Sequence, residues 1–370
     1  MRVALTLLLV VHGALHLLGP ARAFGLAELP QLTQPISRTM GVAWLVAAAL
    51  LLVTAALVIV APRVWWIVGA IALVASQLVI MSSWADARWG TVANVLLLLA
   101  VVVGVLTYGP WSLWAQYRRD VERLVPQAPA TELLTSESIA GLPAPVRRYL
   151  ERVGAIGQPR VASYRARWKG RIRSGPDAPW MALSAEQHNV VEPAARLFSM
   201  DASMLGVPID GLHRYVESGA TMHVKALGAV TVAREGGDEL THAETVTLLN
   251  DMCVLAPSTL AGPNLVWEPG TDRDRARVAF TNAGHTVRAE LVFDDDGDLV
   301  DFVSDDRARS EGGALTRKRW STPLGGYRRF GELRVAARGS ALWHEAEGPY
   351  PYIELELVEH HVSPTIAERA

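Results

Sequence analysis

Over residues 1–110 the chain passes through block after block of Leu, Val and Ala with few charges between them. A helix rises 1.5 Å per residue, so about 20 mostly apolar residues cross ~30 Å of hydrocarbon. Four stretches reach that length: Val3–Leu18 continued to Phe24, Met40–Val60, Val64–Trp84 and Trp89–Tyr108. Pro62 and Arg63 break the second from the third, and Asp86 and Arg88 the third from the fourth. Trp44, Trp65, Trp66, Trp84, Trp89, Trp111 and Trp114 gather near the predicted ends, where an apolar ring with one N–H suits a bilayer interface. The first stretch also has the form of a signal peptide, with Arg2, an apolar run and Ala21-Arg22-Ala23. His12 and His16 inside the run, and three further spans directly after it, favour a retained helix.

The pattern then changes. Pro126-Gln127-Ala128-Pro129-Ala130 reads as a spacer, and Gly141-Leu142-Pro143-Ala144-Pro145 opens a short helix running to about Val153. From Val161 the apolar period is two, the signature of strands. Tyr164, Ala166, Trp168 and Ile172 take one face; Arg165, Arg167, Lys169, Arg171 and Arg173 take the other. Such alternation predicts an antiparallel sheet with one solvated face. About a dozen strands follow, to His361. One helix near 241–255 interrupts them, with Thr241 and Glu244 in capping-box spacing and Leu240, Ala243, Val246, Leu249 and Cys253 as its apolar stripe.

The expected fold is an α-helical membrane bundle of four spans plus an α+β soluble domain, a curled antiparallel sheet or half-barrel with one or two helices. A sheet of that many strands must curl or close. The expected segments are 1–117 (membrane), 118–142 (juxtamembrane linker) and 143–370 (soluble β domain).

Composition agrees with two unlike halves. The chain has 370 residues, half of them hydrophobic and 19% charged, below the ~25% of an average soluble domain. This excludes a wholly soluble protein, a disordered chain and a coiled coil. A net charge of −2 gives no general attraction to nucleic acid. A lone Cys253 permits no internal disulfide. Both termini fall on one side of four spans. That side collects Arg2, Arg63, Arg118, Arg119 and Arg123 against Arg22, Arg38 and Arg88, so the soluble domain is expected on the cytoplasmic face of a bacterial inner membrane.

Polar residues in a span are costly and mark candidate sites. His12 and His16 share a helix face, Gln77 and Asn94 lie in the third and fourth spans, and Asp86 lies between them. Interhelical hydrogen bonding and a proton or small-ligand site are both open. Two histidines do not make a zinc site. In the soluble half no nucleophile, dinucleotide or phosphate-loop motif occurs, and no catalytic residue, metal or cofactor is expected. Asp294-Asp295-Asp296-Gly297-Asp298 reads as a hairpin turn, and His360-His361 as a surface pair. Glu354 and Glu356 match the basic stripe as cross-strand partners, while that stripe could instead face anionic headgroups.

Several strings resemble, as a set, a bacterial family of uncharacterised membrane-anchored proteins carrying a domain of unknown function. They are Leu142-Pro143-Ala144-Pro145-Val146-Arg147-Arg148-Tyr149-Leu150, Pro179-Trp180-Met181, Trp267-Glu268-Pro269, Arg319-Trp320-Ser321-Thr322-Pro323 and Tyr350-Pro351-Tyr352-Ile353-Glu354-Leu355-Glu356. The strand order with its inserted helix is similar to lipoprotein-carrier half-barrels. That likeness implies an apolar concave face, with Tyr164, Trp168, Leu291 and Phe293 as lining residues. The leading expectation is a non-enzymatic membrane protein whose β domain binds a lipid or other apolar ligand. The alternatives are a protein-binding scaffold or sensor, and a membrane redox or proton-linked protein using His12 and His16. Expected partners are membrane lipids, an apolar ligand or a protein, and not nucleic acid.

Overall fold

The structure is a computed structural model describing residues 2–124, 132–217, 219–270, 272–311 and 314–363. The Pro126–Ala130 spacer lies outside the described residues. The chain divides into two compact units: 1–115 with 227–229, and 116–226 with 230–370.

The first unit is helical: α1 (Arg2–His16), α2 (Leu18–Ala23), α3 (Arg38–Val60), α4 (Trp65–Ser82), α5 (Trp84–Ala87) and α6 (Gly90–Tyr108). Ser37 caps α3 by accepting from the Met40 amide at 3.2 Å. Leu9, Leu51, Ala55, Val58, Trp65 and Leu97 form its core. Gly19 is needed where α2 meets Trp44, because a Cβ there would stand 2.4 Å from the indole. Four helical stretches are long and apolar enough to cross a membrane, and only 28–39% of each apolar window is buried. The outward surface is therefore itself rich in Leu, Val and Ile.

In the second unit, α7 (Leu113–Leu124) contributes its residues from Gln116 onward, and α8 (Ala144–Arg152) follows. The sheet strands are β1 (Ser163–Ile172), β2 (Met181–Val190), β3 (Ala195–Met204), β4 (Val207–Val216), β5 (Gly219–Ala226) and β6 (Val230–Gly236). Then come α9 (Asp238–Leu255), a 3₁₀ turn (Pro257–Ala261), β7 (Leu265–Trp267), β8 (Arg275–Asn282), β9 (His285–Phe293) and β10 (Leu299–Ser304). Short pieces β11 (Ala308–Glu311), β12 (Ala314–Arg317), β13 (Trp320–Ser321), β14 (Leu324–Gly325), β15 (Arg328–Phe330) and β16 (Leu333–Val335) lead to β17 (Arg338–Glu345) and the long β18 (Gly348–Val362).

One 14-stranded antiparallel sheet runs β6-β5-β4-β3-β2-β1-β18-β17-β13-β10-β9-β8-β7, with β14 beside β17. α9 packs on β5 and β6 near one end of that order and on β9 and β10 near the other. Strands so far apart in the order can touch one helix only if the sheet curls around it. Two polar contacts close the curl: Asn282 on β8 donates to the Tyr215 hydroxyl on β4 at 2.8 Å, and that hydroxyl meets Thr245 of α9 at 3.1 Å. The expected curled half-barrel with an inserted helix is what the chain adopts.

Two local expectations are corrected. α9 begins at Asp238, one turn before the proposed capping box. Thr241 is an interior helix residue whose hydroxyl accepts from the Ala220 amide at 3.0 Å and donates to the Gly237 carbonyl at 2.8 Å. Glu244 faces Arg307 and caps nothing. His360 is not a surface residue: it is buried between Tyr164 and Phe330, at ring distances of 5.8 and 6.3 Å.

Candidate functional site

α9 is buried almost all round: Leu240, Ala243, Val246, Leu249 and Cys253 are covered, and so are Glu244, Thr245, Asn250 and Asp251. A helix inside a curled sheet has no solvent face, so its polar side must meet partners from the strands. Those partners converge on a cavity of about 180 Å³ between α9 and the concave face.

Trp168, Phe198, Met200, Val254, Ile353 and Leu355 supply its apolar walls. Its floor is polar. Asp251 Oδ2 accepts from Arg196 Nε at 2.6 Å, Gln187 Nε2 at 2.6 Å and Asn189 Nδ2 at 3.3 Å. Arg307 Nη2 donates to Glu244 Oε1 at 2.7 Å, and Asn250 Nδ2 donates to Thr322 Oγ1 at 2.7 Å. Trp168 Nε1 donates to Gln187 Oε1 at 3.1 Å, which fixes the indole as a wall. Two buried arginines thus face two carboxylates, and a third arginine, the exposed Arg338, also lines the cavity. Burial works against the Glu244 carboxylate, but Arg307, with His213 and Arg196, holds it below the usual range. Burial pushes His213 down to about 4, with Glu244, whose carboxylate stands 4.0 Å from His213 Nδ1, opposing and Arg196 and Arg307 adding to the shift.

A second hollow, of about 350 Å³, lies beside the first and is lined by Tyr164, Asn189, Leu248, Met252 and Phe280. Of the four residues expected to line a concave face, Trp168 walls the first cavity and Tyr164 the second. Leu291 and Phe293 are fully buried in the core, with Phe293 against Tyr149 at 5.7 Å between ring centroids, and line neither. Of the floor residues, Gln187, Asn189, Arg196, Asp251 and Arg307 were not singled out from sequence, and Glu244 was read only as a helix cap. The signal available was polar residues at inward positions of apolar strands, such as Gln187 and Asn189 two apart on β2.

The basic stripe is mostly engaged on the outer face. Arg165 pairs with Glu186 at 3.4 Å, Arg167 with Glu359 at 2.8 Å and Arg171 with Glu354 at 2.6 Å. Arg173 donates to the carbonyls of Pro351 and Pro176, and Lys169 stands in register with Glu356, which Arg328 engages at 2.8 Å. The Asp294–Asp298 segment is the turn between β9 and β10, with the Asp298 carboxylate held by Arg334 and Arg152. Among the described residues no cluster of three or more metal-ligating side chains occurs.

In the helical unit His12, His16 and Asn94 meet Ser76, which sequence reading did not select. His12 Nε2 lies 3.0 Å from Asn94 Oδ1 and 3.2 Å from Ser76 Oγ; Ser76 Oγ lies 2.9 Å from both His16 Nε2 and Asn94 Oδ1. His16 Nδ1 donates to the His12 carbonyl at 2.9 Å. Asn94 Nδ2 donates to Gln77 Oε1 at 2.9 Å, extending the network to a fifth residue. Asp86 stands apart, accepting from Thr33 Oγ1 at 2.7 Å and the Gln34 amide at 2.9 Å. His12, His16 and Asp86 all line a cavity of about 230 Å³.

The class of protein is thus a set of helices long and apolar enough to cross a membrane, joined in sequence to a curled antiparallel half-barrel that encloses a helix and a small amphipathic cavity. Residues 132–355, more than half of the chain, match the Family of unknown function (DUF6544), and the chain belongs to that family. No curated protein matches it. Similar solved structures include the following two. One is a domain assigned as an outer membrane lipoprotein-sorting protein domain from Vibrio parahaemolyticus, at 9% identity over 54% of this chain and 85% of that one, with a TM-score of 0.34. The other is a DUF1329 family protein from Desulfovibrio piger, at 9% identity over 62% of this chain and 94% of that one, with a TM-score of 0.35.

Proposed function

We propose that the half-barrel binds one apolar chain, of a lipid or similar ligand, in the cavity beneath α9, while the four apolar helices hold it at a bilayer. The observation that carries this is an aromatic and aliphatic wall closed by a polar floor in which two buried arginines pair with two carboxylates. At about 180 Å³ the space is below the ~300–1,000 Å³ of drug-sized sites, which suits a short stretch of one chain and not a whole diacyl lipid. The Lys/Arg distribution supports a β domain on the cytoplasmic side.

The test is photo-crosslinking of full-length protein in nanodiscs with a diazirine-bearing fatty acid, followed by peptide mapping. Labelled peptides should contain Trp168, Met200 or Val254, and Ala341→Phe, which extends a side chain into the cavity, should abolish that labelling. Label confined to the apolar helices would refute the reading.

A proton count supports a second reading, for the helical unit. Ser76 has one hydroxyl proton, yet both its 2.9 Å contacts, to His16 Nε2 and Asn94 Oδ1, need one. His16 Nδ1 already gives its proton to a carbonyl. With Asn94 Oδ1 turned toward Ser76, the network closes completely when His16 carries a second proton, the arrangement of a proton-linked site. Nitrogen-15 NMR of His16 tests it: a ring that stays singly protonated across the ~5–8 pH range of ordinary histidine titration rules it out.

A further inference from the structure

The turn joining β3 to β4 is built against local preference. Leu205 and Gly206 both have left-handed backbones, with φ of +52° and +87°, the two-residue hairpin turn in which Asn, Asp or Gly is normally chosen at the first position. A leucine there meets the steric penalty of the left-handed region and gains no burial in return: it is 98% exposed, more than any other large apolar side chain among the described residues. Its neighbours Met204 and Val207 are 46% and 37% exposed. Three consecutive large apolar side chains around one glycine thus project from a hairpin tip.

The composition beside the tip suits a bilayer surface. Register pairs Ile172 with Met181 and Ala182 with Ser203, so the β1–β2 connection lies at the same end of the sheet. It carries Trp180, with the guanidinium groups of Arg171 and Arg173 at 4.4 and 4.6 Å from its ring. Trp and Arg favour the headgroup level, where the charge of Arg173, bonded to the Pro351 and Pro176 carbonyls, contributes to binding an anionic surface, while Arg171 shares its charge with Glu354. The unit is also tied by its own chain to α6, one of the four apolar helices, which ends at Tyr108 shortly before the unit begins at Gln116.

We propose that the Met204-Leu205-Gly206-Val207 tip inserts into the interface of the bilayer that the chain's own helices span, with Arg171, Arg173 and Trp180 at headgroup depth. This rests on the membrane reading of those helices and not on the cavity. The surface is a lipid contact, and its misplaced leucine is retained for that contact.

The test uses full-length protein in vesicles of phosphatidylcholine and phosphatidylglycerol. Bimane is attached at Leu205→Cys, at Leu78→Cys on the outward face of α4, or at Asp295→Cys in the turn at the other end of the sheet. Leu78 is 62% exposed, and the native Cys253 is buried, so the parent chain is the blank. Nitroxide on the lipid acyl chains should quench Leu205→Cys to within about twofold of Leu78→Cys, as side chains seated 5–10 Å into an interface would be, and leave Asp295→Cys unaffected. Quenching at Leu78→Cys alone would overturn the tip insertion while leaving the spans intact, and would point to a protein covering the tip instead. Equal quenching at Leu205→Cys and Asp295→Cys would also overturn it, as an effect of the label. No quenching at Leu78→Cys would remove the membrane reading and the insertion with it.

Discussion

Replacing Asp251 by alanine is the sharpest test of the cavity floor. Its Oδ2 collects Arg196, Gln187 and Asn189, and both Asp251 and Arg196 are at least nine-tenths buried. Removing the carboxylate leaves a buried guanidinium with no counter-charge at that position. Breaking a buried pair in this way costs about 3–5 kcal/mol. Against a total stability of about 5–15 kcal/mol for a domain, that is a large fraction. For a domain of this size each kcal/mol moves the melting point by about 2–4 °C, so Asp251→Ala should lower it by roughly 6–20 °C. The assay is the protease resistance of the second unit in full-length protein in nanodiscs, measured against temperature. A loss below about 1 kcal/mol, as for an exposed pair, would refute the claim that the floor is desolvated. The combined Arg196→Met, Asp251→Leu replacement should recover most of the loss, because removing both charges also removes the desolvation cost. The two sites share partners, so the single effects will not add.

Three further outcomes follow from other parts of the molecule. Burial pushes the Asp301 carboxyl on β10 up to about 6, against the Phe302 and Thr322 amides and the charges of Arg319 and Arg275. Its stabilising contribution is complete below the ordinary carboxylate value and is lost as pH rises through about 6, so Asp301→Asn should stabilise the second unit at pH ~8 and change it little at pH ~4. Equal effects in melts at both pH values would refute this. Asn94→Ala removes hydrogen bonds to His12, Ser76 and Gln77; at about 0.6 kcal/mol for each such contact in a bundle, the helical unit should lose about 1–2 kcal/mol in a denaturing-micelle titration. Leu205→Asn places a residue that tolerates a left-handed backbone in an exposed turn, and should raise the melting point of the second unit by the equivalent of up to about 1 kcal/mol. A destabilisation would show that Leu205 packs against something in the fold.

The separation between what sequence decides and what only the tertiary structure decides is visible within single elements. β1 reads correctly because its period of two is local: Tyr164, Ala166 and Trp168 are buried, while Arg167, Lys169 and Arg171 are exposed. The apolar helices are equally legible, since crossing hydrocarbon is a requirement on length and composition alone. The stripe of α9 is legible too, but it hides the more consequential fact that the opposite side is also buried. Whether Glu244 and Asp251 meet water or arginine depends on how far the sheet curls around the helix, and the curl brings Arg196 on β3 and Arg307 beyond β10 to the same helix from distant points in the chain. Ser76 was overlooked for the same reason, because one hydroxyl in an apolar helix becomes informative only when His12, His16 and Asn94 are seen to surround it. Local periodicity thus determined the strands and spans of this protein. Closure of the sheet and packing of the helices, which sum many weak contacts between residues far apart in sequence, decided its cavities and the charges within them.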